Sequence, residues 1–286
     1  MFTLIDGQAV AANIKTTIAE KLATYKLKNG SVPTLAVFIV GDNPASKVYV
    51  AGKERATELV GIRSIVERLP QDTTEAQLIA KIAEHNADDS IHGILVQLPL
   101  PTHIDAMRVT IAIAPEKDVD GFHPVNVGLL SIGTPQFIPC TPYGIMKLLE
   151  TYNINPAGKL AVIVGRSNIV GKPIANLLLQ ADATVALCHS KTSDLKELCK
   201  QADILIAAVG KPNVITREYV KSGAVVIDVG INRLADGKLC GDVDFESVNK
   251  VASAITPVPK GVGPMTIAML MQNTLEAYER FAGNNP

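Results

Sequence analysis

The segment Gly158 to Pro173, GKLAVIVGRSNIVGKP, holds residues whose types and spacing can do chemistry. An apolar strand centred on Val162, Ile163 and Val164 runs into a glycine turn and then into a helix start, an order that aims backbone N–H groups at an anion. Gly165 lets the chain turn, Ser167 or Asn168 can cap, and Gly171 allows close helix–strand packing. Such a turn suits a dinucleotide pyrophosphate, although only two glycines of the G-x-G-x-x-G fingerprint remain. It is not a Walker A loop: five residues separate Gly165 from Gly171 instead of four, and Pro173 replaces the Mg²⁺-binding Ser or Thr. Arg166 and Ser167 lie in the turn and are candidate phosphate contacts. Tyr49 and Lys53, four apart on one helix face and about 6 Å apart at Cβ, set an aromatic platform beside an amine. Gln97 ends a strand just before Leu98-Pro99, and Asp120 precedes Gly121. Taken singly, the Tyr/Lys pair reads as a solvated helix face, Gln97 as a loop hydrogen-bonder and Asp120-Gly121 as a turn.

Other chemistries lack their residues. The histidines, at 85, 92, 103, 123 and 189, show neither H-E-x-x-H nor other ligand spacing, so no metal site is expected. No G-x-S-x-G elbow supports a serine triad. The net charge of −1, with Lys and Arg scattered, offers no basic stripe for nucleic acid and no polybasic membrane patch. Cys140, Cys188, Cys199 and Cys240 show no C-x-x-C spacing and read as reduced, mostly buried thiols. MFTLIDGQAV lacks the pattern of a signal peptide and no apolar run approaches 18 residues, so a cytoplasmic location is expected.

The elements that must position these residues form two α/β units. At 286 residues and 47% hydrophobic, the chain is long enough for two cores. The first unit reads as a helix 7–28, a strand 35–40, a helix from Pro44 to about Val60 with Asn43 as cap, a strand 64–69, a helix 74–87 and a strand 91–98. That β-α-β-α-β order predicts a parallel sheet. Pro- and Gly-rich texture then predicts loops through LPLPTH, KDVDGFHP and FIPCTPYG. A doubly wound nucleotide domain follows, with strands near 160–164, 184–188, 203–209 and 224–229, and helices near 171–181, 194–200 and 216–222. A last apolar helix spans about 264–281.

Taken together, VGDNPASKVYVAGK (40–53), HGILVQLPLP (92–101), KDVDGFHPVNVG (117–128), PCTPYGIMKLL (139–149), GRSNIVGKP (165–173), DVGINR (228–233), GDVDF (241–245) and TPVPKGVGPMT (256–266) closely resemble the bifunctional methylenetetrahydrofolate dehydrogenase/methenyltetrahydrofolate cyclohydrolase family. The blocks keep family order and span nearly the whole chain. The resemblance implies an amino-terminal catalytic, folate-binding domain, 1–140, joined by a returning helix, 264–286. It further implies a Rossmann NADP-binding domain, 141–263, a folate cleft between the two, tetrahydrofolate derivatives as substrates, and a homodimer. The family's catalytic roles fall on Tyr49, Lys53 and Gln97, with Leu98, Pro99 and Asp120 also at the substrate. Its cofactor contacts fall on Thr141, Gly165, Arg166, Ser167, Ser190 and Ile231. One departure is Lys260, between Pro259 and Gly261, where the family usually has glycine. A fused formyltetrahydrofolate synthetase is not expected, because these 286 residues lack its additional length and a P-loop.

Residue chemistry fits that implication. A carboxylate such as Asp120 can accept both N–H donors on a pterin's 2-amino-4-oxo edge. Desolvation and a nearby methenyl cation would lower the pKa of Lys53, leaving a neutral amine as general base, and the amide of Gln97 orients it without adding charge. After the strand 184–188 the chain has His189-Ser190-Lys191 instead of the acid that binds the ribose hydroxyl of NAD, so Arg166, Ser190 and Lys191 favour the 2′-phosphate of NADP. A two-domain dehydrogenase of small hydroxy acids, such as a shikimate dehydrogenase, and a non-catalytic nucleotide-binding protein remain as alternatives.

Overall fold

Thr34–Val40 is buried along its whole length in the computed structural model, which describes residues Phe2–Asn284. A strand so covered on both faces belongs at the centre of a parallel sheet, and its continuous apolar run is what such a strand needs. The chain begins β1 (Thr3–Leu4), α1 (Gly7–Asn29), β2 (Thr34–Val40), α2 (Pro44–Val60), β3 (Arg63–Leu69), α3 (Glu75–Asn86) and β4 (Gly93–Val96). Helices α4 (Ala106–Ala112), α5 (Pro124–Ser131) and α6 (Cys140–Thr151) follow. Next come β5 (Leu160–Val164), α7 (Gly171–Gln180), β6 (Thr184–Cys188), α8 (Leu195–Cys199), β7 (Ile204–Ala207) and β8 (Val225–Asp228). The chain closes with β9 (Asn232–Arg233), β10 (Leu239–Cys240), α9 (Phe245–Val248), β11 (Ala254–Ile255) and α10 (Val262–Asn284).

Contacts divide these elements into two compact units, one of Ala12–Cys140 with Ile267–Pro286, the other of Met1–Ala11 with Thr141–Thr266. In the first, β2 lies between β3 and β4, all parallel. Its core gathers Ala36, Phe38, Leu78, Ile82, Ile94 and Val109. Asn43 Oδ1 accepts from Ser46 N, opening α2 with Pro44 in its first turn. A Thr74/Gln77 capping box opens α3.

In the second unit the sheet order is β1-β11-β8-β7-β5-β6, every neighbour parallel. The chain departs from β5 to one side through β6 and to the other through β7, which makes the carboxyl end of β5 the switch point where ligands bind in open α/β sheets. Val162, Val164, Leu205, Ala207 and Val226 are among its buried core.

Several expectations needed correction. LPLPTH and KDVDGFHP up to His123 are loop as expected, whereas FIPCTPYG turns helical from Cys140, and α4, α5 and α6 fill the stretches between and after these segments; Asp105 caps α4 through Met107 N and Arg108 N, and His123 caps α5 ahead of Pro124. Residues 216–222 hold only a 3-10 turn, Arg217–Tyr219. The strand expected over 91–98 is shorter, Gly93–Val96, and the last helix starts two residues earlier, at Val262. Thr3–Leu4 pairs with Ala254–Ile255 in the six-stranded sheet. No helix among the described residues is long and apolar enough to cross a membrane.

Candidate functional site

In the first unit, α2 brings Lys53 to Gln97, which follows β4. Lys53 Nζ donates to Gln97 Oε1 at 3.0 Å, and Gln97 is itself held by its N to Phe38 O at 2.8 Å and by Nε2 to Leu98 O at 2.6 Å. The side chain is thereby aimed at the amine. Burial lowers the Lys53 pKa, opposed by the nearby carboxylate of Asp120 and by Cys140. Burial likewise raises the Asp120 pKa, while Lys53 pulls it down. Both shifts have one cause: a poorly hydrated pocket disfavours either charge.

Asp120 is fixed by its neighbours. Lys117, fully covered, donates Nζ to the carbonyls of His85, Asn86 and Asp88, capping the end of α3. Asp118 accepts from His123 N and Asn126 Nδ2 at the start of α5. Asp120 lines a small cavity of ≈ 20 Å³ together with Leu98. Cys140 Sγ donates towards Val119 O at 3.5 Å and Asp120 Oδ1 at 3.7 Å. Asn273, buried on α10, donates to Val119 O and Ile138 O. Sequence reasoning gave no site role to Lys117, Asp118, Cys140 or Asn273. An asparagine within the apolar run of the last helix was the available signal, since a buried amide needs partners. Tyr49 is half exposed on the Lys53 face of α2, and Pro99 is exposed beyond Leu98.

In the second unit, Gly165 directly follows β5, with φ +135, and a Cβ there would lie 2.1 Å from Ala208 O. Gly171 begins α7 so close to the turn that a Cβ would lie 2.0 Å from Gly165 O. Of the two capping candidates, Ser167 serves: its Oγ accepts from Val170 N and Gly171 N, whereas Asn168 accepts from Lys172 Nζ. Arg166 and Ser167 are exposed. Pairing of Val164 with Cys188 puts Arg166 and Ser190 each two residues beyond partnered strand ends, so both emerge at the same edge of the sheet. His189, Ser190 and Lys191 turn tightly there, with Lys191 N donating to His189 Nδ1. Ile231, three residues past the end of β8, lines a cavity of ≈ 370 Å³ with Asp228, Val258, Lys260 and Val262. Thr141 lies in the first turn of α6, its hydroxyl 2.8 Å from that of Thr266. The glycine turn, the helix that starts directly behind it and the exposed arginine fit a dinucleotide.

Fold and turn thus define a two-domain α/β protein with a Rossmann-type dinucleotide-binding unit. Residues 139–282 match the NAD(P)-binding domain, and residues 5–120 the catalytic domain, of tetrahydrofolate dehydrogenase/cyclohydrolase. The chain is 60% identical over 277 residues, 97% of each chain, to the bifunctional protein FolD of Polynucleobacter asymbioticus. It superposes with a TM-score of 0.96 on the crystal structure of the FolD methylenetetrahydrofolate dehydrogenase/cyclohydrolase of Campylobacter jejuni, at 54% identity, covering 98% of this chain and 100% of that one. The methylenetetrahydrofolate dehydrogenase-cyclohydrolase of Trypanosoma brucei, solved with NADP and an inhibitor, gives 0.94 at 40% identity with 98% of each chain covered. The chain belongs to the tetrahydrofolate dehydrogenase/cyclohydrolase family.

Proposed function

We propose that the chain oxidises 5,10-methylenetetrahydrofolate to 5,10-methenyltetrahydrofolate with NADP and then hydrolyses that product to 10-formyltetrahydrofolate. The observation that carries the reading is the 3.0 Å contact between Lys53 Nζ and Gln97 Oε1 in a pocket that lowers the lysine pKa, with Asp120 close by. Asp120 accepts the pterin's N–H donors, Tyr49 stacks on the p-aminobenzoyl ring, and Leu98 and Pro99 flank the bound folate. Gly165, Arg166, Ser167, Ser190, Ile231 and Thr141 would hold NADP, whose nicotinamide supplies the hydride acceptor. Arg166 and Ser190, with no acid at 189–191, suit a 2′-phosphate. In the hydrolytic step water bonds to the methenyl carbon and passes a proton to neutral Lys53 Nζ. Gln97 holds the amine in place, and the remaining hydroxyl proton passes to N5 as the bond from that carbon to N5 breaks, leaving the formyl group on N10 and a hydrogen on N5.

A homodimer belongs to this reading, supported by the outermost strand β6, whose ladder is open on one side and whose Leu187 is exposed. A cytoplasmic location is supported by four free cysteines. Family membership weighs against a dehydrogenase of small hydroxy acids, and the lysine–amide pair against a merely binding protein. The test is an assay with methylenetetrahydrofolate and either NADP or NAD, following reduced nucleotide and methenyl product at separate wavelengths. Reduction without folate turnover, or no turnover with either nucleotide, would refute the proposal.

A further inference from the structure

Two buried carboxylates in the second unit have no part in the chemistry above. Asp228 closes β8, and its oxygens accept from Gly230 N at 3.0 Å, Asp242 N at 2.9 Å and Val243 N at 3.0 Å. Asp242, with no exposed surface, accepts from Val209 N, Gly210 N, Lys211 N and Asn232 Nδ2. Burying a carboxylate is costly unless donors meet it. Four donors fill the roughly four acceptor sites of Asp242, which leaves nothing to offer a ligand. Its bonds must serve the shape of the loops that make them.

The two acids interlock. A Cβ on Gly241, the residue before Asp242, would lie 1.7 Å from Asp228 Oδ2, and a Cβ on Gly230, two residues after Asp228, would lie 2.2 Å from Asp242 Oδ1. Each carboxylate therefore occupies the space left by a glycine in the other's segment. Ile231 is caught between them, because Gly230 on one side bonds Asp228 and Asn232 on the other bonds Asp242. Val209 to Lys211 follow β7, whose Ala207 pairs with Val164 and Asp228, so this loop leaves the same edge of the sheet as the Gly165 turn.

We propose that Asp228 and Asp242 are positioning residues for the nicotinamide dinucleotide, a reciprocal carboxylate–glycine lock that sets Ile231 and the loop Val209 to Lys211 without touching the ligand. This rests on the assignment of Ile231 to the cofactor. A mutant cycle on the full chain tests it, with NADP affinity measured by titration in the absence of folate and the fold followed by circular dichroism. Gly230→Ala should weaken NADP roughly tenfold or more, as expected for a displaced binding loop. In an Asp242→Ala background the same change should cost clearly less than in the parent, because the carboxylate it strikes is gone and only the contact with Asp242 N, 2.6 Å from that Cβ, remains, and the effects of contacting residues do not add.

Full additivity, or unaltered NADP affinity in a folded Gly230→Ala chain, would overturn the proposal. Hydrogen exchange on the unmutated chain without NADP needs no variant to fold: the amides of Val209, Gly210 and Lys211 should be protected although the loop is largely exposed. Rapid exchange there would overturn the lock itself. An Ile231→Ala chain with unchanged NADP affinity, alongside protected amides, would instead remove Ile231 from the cofactor site and leave the lock standing.

Discussion

Lys260 sits with φ +84, in the left-handed region, where an L side chain crowds the following carbonyl. The backbone is held there: Lys260 O accepts from Gln8 N at 2.9 Å, and at Gly261 a Cβ would lie 2.3 Å from Pro257 O, so the turn cannot relax cheaply. Left-handed geometry costs a non-glycine residue roughly 1–2 kcal/mol. Lys260→Gly removes that strain but adds unfolded-chain freedom, which costs about 0.5–1 kcal/mol. The net expectation is stabilisation by about 0.5–1 kcal/mol, read as a rise in Tm of about 1–4 °C for a chain of this size. Lys260→Ala keeps the strain and removes only the long side chain, so its Tm should stay near that of the parent. Thermal unfolding of both variants by circular dichroism decides the matter. A Tm unchanged or lowered in Lys260→Gly, or an equal rise in Lys260→Ala, would refute backbone strain as the cause.

Lys53→Met should cut methenyl hydrolysis by about 10²-fold or more while sparing folate binding, the scale expected for a lost acid–base group, and undiminished hydrolysis would remove Lys53 as the base. Because burial lowers the Lys53 pKa and the neutral amine is the active form, the hydrolysis rate should rise with pH and level off below the ordinary lysine value of 10.5. Gln97→Glu places a negative charge on the amine and should move that rise to higher pH, so an unshifted profile would contradict the role given to Gln97. Asp120→Asn should weaken folate binding and leave NADP binding intact, as titration of both ligands would show; the reverse pattern would put Asp120 in the wrong site. NADP should be preferred over NAD, with Arg166→Ala narrowing the gap in kcat/KM, and faster wild-type turnover with NAD would refute the preference.

The sequence by itself determined the two α/β units, because their signals are local. The apolar run of residues 35–40, short, rich in β-branched and aromatic residues and bounded by Pro33 and Gly41, reads as a doubly covered strand, and Asn43-Pro44 and Thr74 to Gln77 open helices through bonds to their own backbone. Gly165 and Gly171 likewise announced a turn against a helix, and the structure shows that no Cβ fits at either. Family membership was legible for another reason: many blocks in fixed order carry more information than any single motif. Tertiary structure decided what depends on groups distant in the chain. Lys53 meets Gln97 only because β4 lies beside β2, and Asn273 reaches Val119 across 154 positions. The short helices after Leu98 were hidden because their caps, Asp105 and His123, sit among prolines that also mark loops. Strand Thr3–Leu4 is too short to signal itself and exists only through its partner, Ala254–Ile255. The interlock of Asp228 and Asp242 was likewise beyond reach of spacing, since a buried carboxylate is explained by the donors folded around it, and these come from three separate loops.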